Sequence, residues 1–314
     1  MNIVTILGNT NSGAGAIYEY LIGRKDAHDP FNKKEFRILH DPGGINDLYK
    51  CYDSYSLQSF NESLQRLINL EKLYRSNRKF YKDGLGLGSV ENYKLYWENY
   101  KIKITGEKYN HRYIFNDIKS NIFKQLAKRI FNRLGFRRIL FKNYYTGVSR
   151  REFRDYTFEF LSNIVNSNNQ LNKLNVLNQC GTFSSPLSST ELLGEPKIIC
   201  VRRNPLDQYA ELKLYKGVNN PNDFVNWYLH LKRMESREQF QDEKVLEIFF
   251  EDFIFKYEQN KKLICEFLNI DHQIQSSFQP EVSKKNIYKY KTLLNENEIQ
   301  FIKEKLLDFI NIST

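Results

Sequence analysis

The chain has 314 residues, 41% hydrophobic and 15% aromatic with 21 Tyr and 23 Phe, so it can bury a sizeable core and is not a disordered polyelectrolyte. Its 47 Lys and Arg against 37 Asp and Glu give a formal charge of +10, a field that draws polyanions, acidic membrane surfaces or anionic cofactors without selecting among them. No run of 18 apolar residues occurs and no basic leader precedes an apolar stretch, which predicts a chain without a membrane span that resides in the cytoplasm. Cys51, Cys180, Cys200 and Cys265 lie far apart without metal-ligand spacing, and three of them sit in apolar segments, the setting of ordinary structural thiols.

In chain order, Ile3, Val4, Ile6 and Leu7 supply a short buried strand that breaks into a glycine-rich turn and then into a helix-compatible stretch. Gly8, Gly13 and Gly15 let backbone N–H groups approach an anion at a helix N-terminus, which makes phosphate the first ligand to suspect. The spacing Gly8-x4-Gly13 is that of a Walker A loop. Ala14 and Gly15, however, stand where a nucleoside-triphosphatase or kinase needs Lys and Ser/Thr, which argues against an ordinary ATPase, GTPase or nucleoside-phosphate kinase.

Glu35 to His40 reads as a second strand, closed by the turn Asp41-Pro42-Gly43-Gly44. Residues 45–165 lack strong strand runs and carry helical patterns at 57–73 and 153–165, so they read as a mostly helical insertion within one domain that spans 1–314 and shapes an acceptor site. Gly84-Leu85-Gly86-Leu87-Gly88 has no strand before it and reads as a loop, not a nucleotide fingerprint. Between Lys119 and Lys142, apolar residues at 122, 126, 130 and 134 alternate with Lys124, Lys128, Arg129, Arg133, Arg137 and Arg138, a basic amphipathic helix interrupted near Gly135. Two roles stay open for it: a solvated helix with its apolar stripe on the core, or peripheral contact with an anionic membrane surface or charged acceptor.

Leu174 to Gln179 reads as a third strand, and Lys197 to Arg202 as a fourth of the buried type, with Arg203 at its carboxyl edge and Pro205 opening a helix through Tyr209 and Leu212. Val245 to Phe250 is a fifth. Glu251 and Asp252 then initiate a helix patterned on Ile254, Tyr257, Leu263, Ile264, Phe267 and Leu268, and Asn295 with Glu298 forms a capping box for a last helix ending near Ile310. Short apolar strands alternating with helices predict an α/β fold with a parallel sheet and right-handed crossovers, whose ligand lies beyond the strands' carboxyl ends.

The loop at 8–16, the strand-end Arg203-x-Pro205-x-Asp207, and Phe250-Glu251-Asp252-Phe253 followed by Ile264-Cys265-Glu266-Phe267-Leu268 resemble the sulfotransferase family in order and spacing, over roughly 1–44 and 174–270. The resemblance implies a P-loop-like three-layer α/β/α sandwich and the donor 3′-phosphoadenosine 5′-phosphosulfate, with no metal. It implies that Thr10, Asn11, Ser12, Gly13, Ala14, Gly15 and Ala16 cradle the 5′-phosphosulfate and that Arg203 pairs with the 3′-phosphate, a role suited to a planar guanidinium. Two positions depart from the family's pattern. Asn11 stands where members usually carry Lys or Arg to stabilise the leaving phosphate oxygen, and Glu211 stands where they typically have a Ser that binds the 3′-phosphate.

The chemistry so implied is in-line transfer of a sulfuryl group to a hydroxyl or amine, the acceptor being a carbohydrate or lipid-linked molecule; no specific nucleic-acid contact is expected. The rival class is a catalytically degenerate nucleotide- or polyanion-binding protein of the same fold. For the general base, Asp41 and His40 follow the second strand close to where an acceptor approaches; Asn11 stands toward the leaving group, and His111, in the basic insertion, is a more distant candidate for acceptor contact. Structural roles compete with each: Asp41 as a turn cap, His40 as a hydrogen-bonded strand residue, and Asp207 as the partner that ties Arg203 down. Arg202 replaces Arg203 if the strand register slips by one.

Overall fold

The computed structural model describes residues 2–76, 87–111, 113, 122–134, 142–166 and 173–310. The apolar run Ile3–Gly8 forms β1, followed by α1 (Ala14–Ile22) and the two-residue strand β2 (Ala27–His28). The insertion contributes α2 (Ile45–Lys50), α3 (Leu57–Ser76), α4 (Tyr93–Thr105), β3 (Lys108–His111), α5 (Ile122–Arg133), β4 (Lys142–Tyr145) and α6 (Arg150–Val165). Next come β5 (Leu174–Asn178), β6 (Lys197–Arg202), α7 (Pro205–Lys216), α8 (Pro221–Met234), β7 (Val245–Phe249), α9 (Phe250–Phe255), α10 (Tyr257–Leu268) and α11 (Glu296–Leu306).

The main sheet is parallel with strand order β2-β5-β1-β6-β7; β1 lies between β5 (Val4 opposite Val176) and β6 (Ile6 opposite Ile199), and β6 pairs β7 (Val201 opposite Ile248). Parallel pairing sets Gly8, Asn178, Arg202 and Phe249 along one edge, so the turns that follow β1, β5, β6 and β7 share a rim. On one face Val4, Ile6, Val176, Ile199 and Val201 are covered by α1, α9 and α10 through Ile17, Tyr20, Leu21, Phe253 and Ile264. The opposite face carries the helices of the insertion, with Phe60, Leu64, Leu67, Trp97, Tyr100, Phe153 and Phe160 packed against Ile3 and Leu177. Helices on both faces of a parallel sheet make the three-layer α/β/α arrangement, and the insertion supplies much of one layer.

Glu35 to His40 is not a strand. Only Glu35 bridges Asn178, after which Arg37 O accepts from the N–H groups of His40 and Asp41, and the Arg37 guanidinium grips the Asp41 carboxylate at 2.6 and 3.0 Å. That side-chain pair requires a turn, because residues four apart along a strand are separated by about 13 Å. Phe36, Ile38 and Leu39 are buried all the same, from a compact turn against the insertion core. The edge strand is instead β2, paired to Leu174 and Asn175. The helix after β7 is broken at Lys256 into α9 and α10, and α11 begins with the reciprocal Asn295–Glu298 capping box. Residues 84–86, 114–121 and 135–141 of the glycine-rich and basic segments lie outside the described residues.

Candidate anion-binding site

β1 ends at Gly8, whose N–H donates to Gln179 Oε1 at 3.3 Å, and the chain then turns through Ser12 N–H to Asn9 O at 3.0 Å. Asn11 lies in the left-handed region (φ 57°) and Gly13, the N-cap of α1, does so too (φ 81°). Asn tolerates that conformation better than most side chains, and at Gly13 a Cβ would also fall 2.5 Å from the Phe250 ring. No side chain caps α1; of its first-turn N–H groups Ala16 donates to Gly13 O at 3.0 Å, which leaves those of Ala14 and Gly15 toward the loop, and a Cβ added at Gly15 meets nothing within 4 Å. An uncapped helix N-terminus facing open space at a sheet's carboxyl rim favours an anion through both the N–H groups and the helix dipole.

Strand alternation settles which arginine belongs to this loop. Arg203 turns toward it: Nη1 donates to Asn11 O at 2.9 Å and Nη2 to Asn286 O at 2.5 Å, and the guanidinium stacks 5.2 Å from the Phe250 ring centroid. Arg202 goes to the other face, gripped by Glu235 at 2.9 and 3.0 Å and Glu247 at 2.5 Å between the rings of Phe183 and Phe240. It lines a groove of about 670 Å³ walled by Tyr228, Phe240, Phe249 and Phe309, to which neither Arg203 nor residues 8–16 contribute.

Arg203 is buried (3% exposed), and its counter-ion is Glu211, two turns into α7, at 3.0 and 3.1 Å; Glu211 in turn accepts from Lys289 Nζ at 3.0 Å. Burial pushes the Glu211 carboxyl up, yet the hydrogen bonds and charges of Arg203 and Lys289 outweigh it and hold the group below the usual carboxylate value. Asp207 does not tie Arg203 down. Its carboxylate, fully buried, accepts from the N–H groups of Tyr288 and Tyr290 at 2.9 and 3.1 Å and so fastens the 286–290 segment, with Lys289, over the start of α7. Gln208 adds a second strap, donating to Thr10 O at 3.0 Å.

Three polar atoms of this cluster, Asn11 Nδ2, Ser12 Oγ and Arg203 Nε, are buried without a hydrogen-bond partner, and all three are donors. Each such orphan costs about 1–3 kcal/mol, so a set of them beside an uncapped helix end fits an anionic ligand. Glu251, buried at the end of β7, accepts from Asn204 N–H at 3.0 Å through Oε1 and leaves Oε2 unpartnered. Burial pushes its carboxyl up to about 7.

The remaining sequence candidates separate. Asp41 is committed to Arg37 through both oxygens and to the Tyr74 hydroxyl, which makes it a strut between the 35–44 turn and α3. His40 lies beside the backbone of Cys180; Nδ1 is buried without a partner, Nε2 is 3.9 Å from Asp41 Oδ1, and burial lowers the imidazole's pKa, which favours the neutral ring. His111 sits on β3, exposed beside the Tyr113 ring, away from the sheet's rim. Sequence reasoning missed Gln179, Gln208, Lys289 and the ion-pair role of Glu211. Only Glu211 carried a signal, its fixed distance from Arg203.

Among the described residues no group of three or more His, Cys, Asp and Glu side chains is placed to hold a metal ion. No protein-family model matches the chain, and no curated protein matches it in sequence. Among solved structures it is similar to a sulfotransferase domain from the curacin biosynthetic pathway, at 13% identity over 97% of this chain and 96% of that one, with a TM-score of 0.39. A likeness that distant carries no functional argument.

Proposed function

We propose that the chain is a sulfotransferase that moves the sulfuryl group of 3′-phosphoadenosine 5′-phosphosulfate to a hydroxyl or amine of a carbohydrate or lipid-linked acceptor. The observation that carries this proposal is the cluster of unpartnered buried donors, Asn11 Nδ2, Ser12 Oγ and Arg203 Nε, around the uncapped N-terminus of α1. The donor, when bound, supplies an already activated sulfuryl group, so the protein's task is positioning and charge stabilisation. Residues 10–16 hold the phosphosulfate end through backbone N–H groups and the Ser12 hydroxyl. Arg203 and Lys289 face the 3′-phosphate, and the neutral His40 takes the acceptor's proton at Nδ1. The basic, aromatic-rich insertion supports a carbohydrate or lipid-linked acceptor.

A second reading, a degenerate nucleotide binder, is favoured by one observation: Glu211 already neutralises Arg203. Thermal stabilisation by adenosine 3′,5′-bisphosphate, ADP and ATP, paired with sulfuryl transfer to a panel of sugar and lipid acceptors, tests both. Stabilisation selective for the 3′-phosphorylated nucleotide, weakened by Arg203→Ala, with transfer lost in His40→Ala, supports the enzyme. Selective binding without transfer supports the degenerate binder, and equal or absent responses to all three nucleotides refute the site.

A further inference from the structure

β3 and β4, which bracket residues 112–141 in sequence, pair antiparallel as a two-stranded ribbon, with Lys108 opposite Tyr145 and His111 opposite Lys142. The ribbon is fixed by aromatic packing: Tyr144 is buried, with the rings of Tyr109 and Tyr113 at 5.8 and 4.8 Å. Helix α5 lies between these strands in sequence, and five large apolar side chains on or next to it are turned to solvent: Ile122 is 72% exposed, Phe123 82%, Leu126 48%, Ile130 57% and Leu134, just past its end, 62%. At 100° per residue these five fall within about a third of the helical circumference, a continuous apolar stripe. A helix that closes a core presents such a stripe inward. This one does the opposite.

The charge around the stripe has one sign. From Asp117 to Glu152 the intervening chain carries ten Lys and Arg and no acidic residue. Arg129 and Arg133 are exposed; by helical register Arg129 borders the stripe beside Ile122, and Arg133 projects within the stripe's arc near its C-terminal end. A second copy of the chain on this face would set like charges against like, and among the described residues no helix is long and apolar enough to cross a membrane. We propose that α5 is an interfacial anchor that lies in the headgroup region of an anionic lipid bilayer, its apolar stripe among the acyl chains and its arginines on lipid phosphates and carboxylates. The proposal stands on the exposure and charge of α5 and is independent of the transfer reaction.

Flotation of the purified full chain with phosphatidylcholine vesicles, and with vesicles enriched in phosphatidylserine, tests it. Wild type is expected to float with the anionic vesicles, weakly with the neutral ones, and less as salt rises. Phe123→Glu and Ile130→Glu each weaken anionic binding about tenfold or more. Arg129→Gln with Arg133→Gln weakens it about fivefold per residue and removes part of the salt dependence. Because these side chains are exposed, the variants keep the wild-type melting temperature; should a glutamate variant not fold, the arginine pair still decides. Absence of binding, binding indifferent to phosphatidylserine, or binding undiminished in the variants overturns the proposal. So does a wild-type dimer in light scattering that Phe123→Glu dissociates without any vesicle binding, which would assign the stripe to a second copy.

Discussion

Glu211→Gln is the most informative perturbation of the candidate site because it moves two observables in opposite directions. The carboxylate accepts charge-assisted hydrogen bonds from Arg203 Nη2 and Lys289 Nζ at 3.1 and 3.0 Å and pairs with Arg203 Nη1 at 3.0 Å, and its side chain is 14% exposed. Charge-assisted bonds of this kind contribute about 1.5–3 kcal/mol each when well made, but a Gln keeps one acceptor oxygen and the ion pair is partly solvated, so the expected net loss is about 2 kcal/mol. With unfolding entropy near 2.1 cal/mol/K per residue, the 314-residue chain loses about 1.5 °C of melting temperature per kcal/mol, so unliganded Glu211→Gln melts about 3 °C lower. Affinity for a 3′-phosphate moves the other way, since the internal carboxylate no longer competes for Arg203 and Lys289. Removing that competitor is expected to tighten adenosine 3′,5′-bisphosphate binding about tenfold, roughly 1.4 kcal/mol, and to leave ADP unchanged. Calorimetric titration beside thermal melts reads both effects. A lower melting temperature with unchanged or weakened bisphosphate affinity would refute the assignment of Arg203 and Lys289 to the 3′-phosphate and leave Glu211 as a structural clamp.

Other outcomes follow from the same geometry. Glu251 keeps its proton to about pH 7 in the folded state, whereas the unfolded chain releases it near 4.5; the folded form therefore binds more protons across that window, and wild-type stability falls between pH 4.5 and 7 by on the order of 3 kcal/mol. Melting curves of Glu251→Gln should lack that decline and exceed wild type at pH 8; parallel curves would show that the buried carboxyl does not titrate this way. Gly13→Ala places a methyl at φ 81° against Phe250, costs about 2 kcal/mol or more, and abolishes nucleotide stabilisation. Gly15→Val meets open space, so it should melt like wild type while weakening nucleotide binding; unchanged binding places the anion elsewhere. Asn11→Lys puts a residue less tolerant of the left-handed region at φ 57°, lowering the melting temperature by about 1–2 °C, and raises transfer if position 11 faces the leaving group.

β1, β5, β6 and β7 were legible in the sequence because strands buried on both faces read as continuous apolar runs between turn residues. α7 and α11 were legible from Pro205 and from the Asn295–Glu298 box. β2 was not, since two residues at a sheet edge carry no pattern, and the turn at 35–41 mimicked a strand because its apolar residues meet a core on more than one side. The ribbon of β3 and β4 was equally silent: Lys-Tyr-Asn-His and Lys-Asn-Tyr-Tyr are polar and mostly exposed, so no apolar alternation marks them. The closeness of Arg203, at the carboxyl end of β6, to the loop after β1 was legible from the strand pattern, whereas Gln179 and Gln208 act through single amide contacts across 171 and 198 residues of chain, which no local pattern encodes. Asp207 was matched to the wrong partner for a geometric reason. The four-residue pairing rule holds inside a helix, but Arg203 precedes the N-cap Asn204 and reaches back to the loop, which frees Asp207 for the backbone at 288 and 290.

Asn11 and Glu211, the two positions at which the sequence departs from the sulfotransferase pattern it resembles, are joined in the structure through one guanidinium. Arg203 Nη1 lies 2.9 Å from Asn11 O and 3.0 Å from Glu211 Oε2, so the side chain that fixes the loop is the one that Glu211 neutralises. With Asn11 uncharged, Arg203 is the cation that contacts the loop among the described residues, Lys289 stands behind it on Glu211, and Glu211 bonds to both, which lowers the positive potential there while keeping the loop's shape. A site built this way holds its anion-binding geometry without a ligand, at the cost of charge available to one. Affinity for an anion and loop stability are therefore opposed at Arg203.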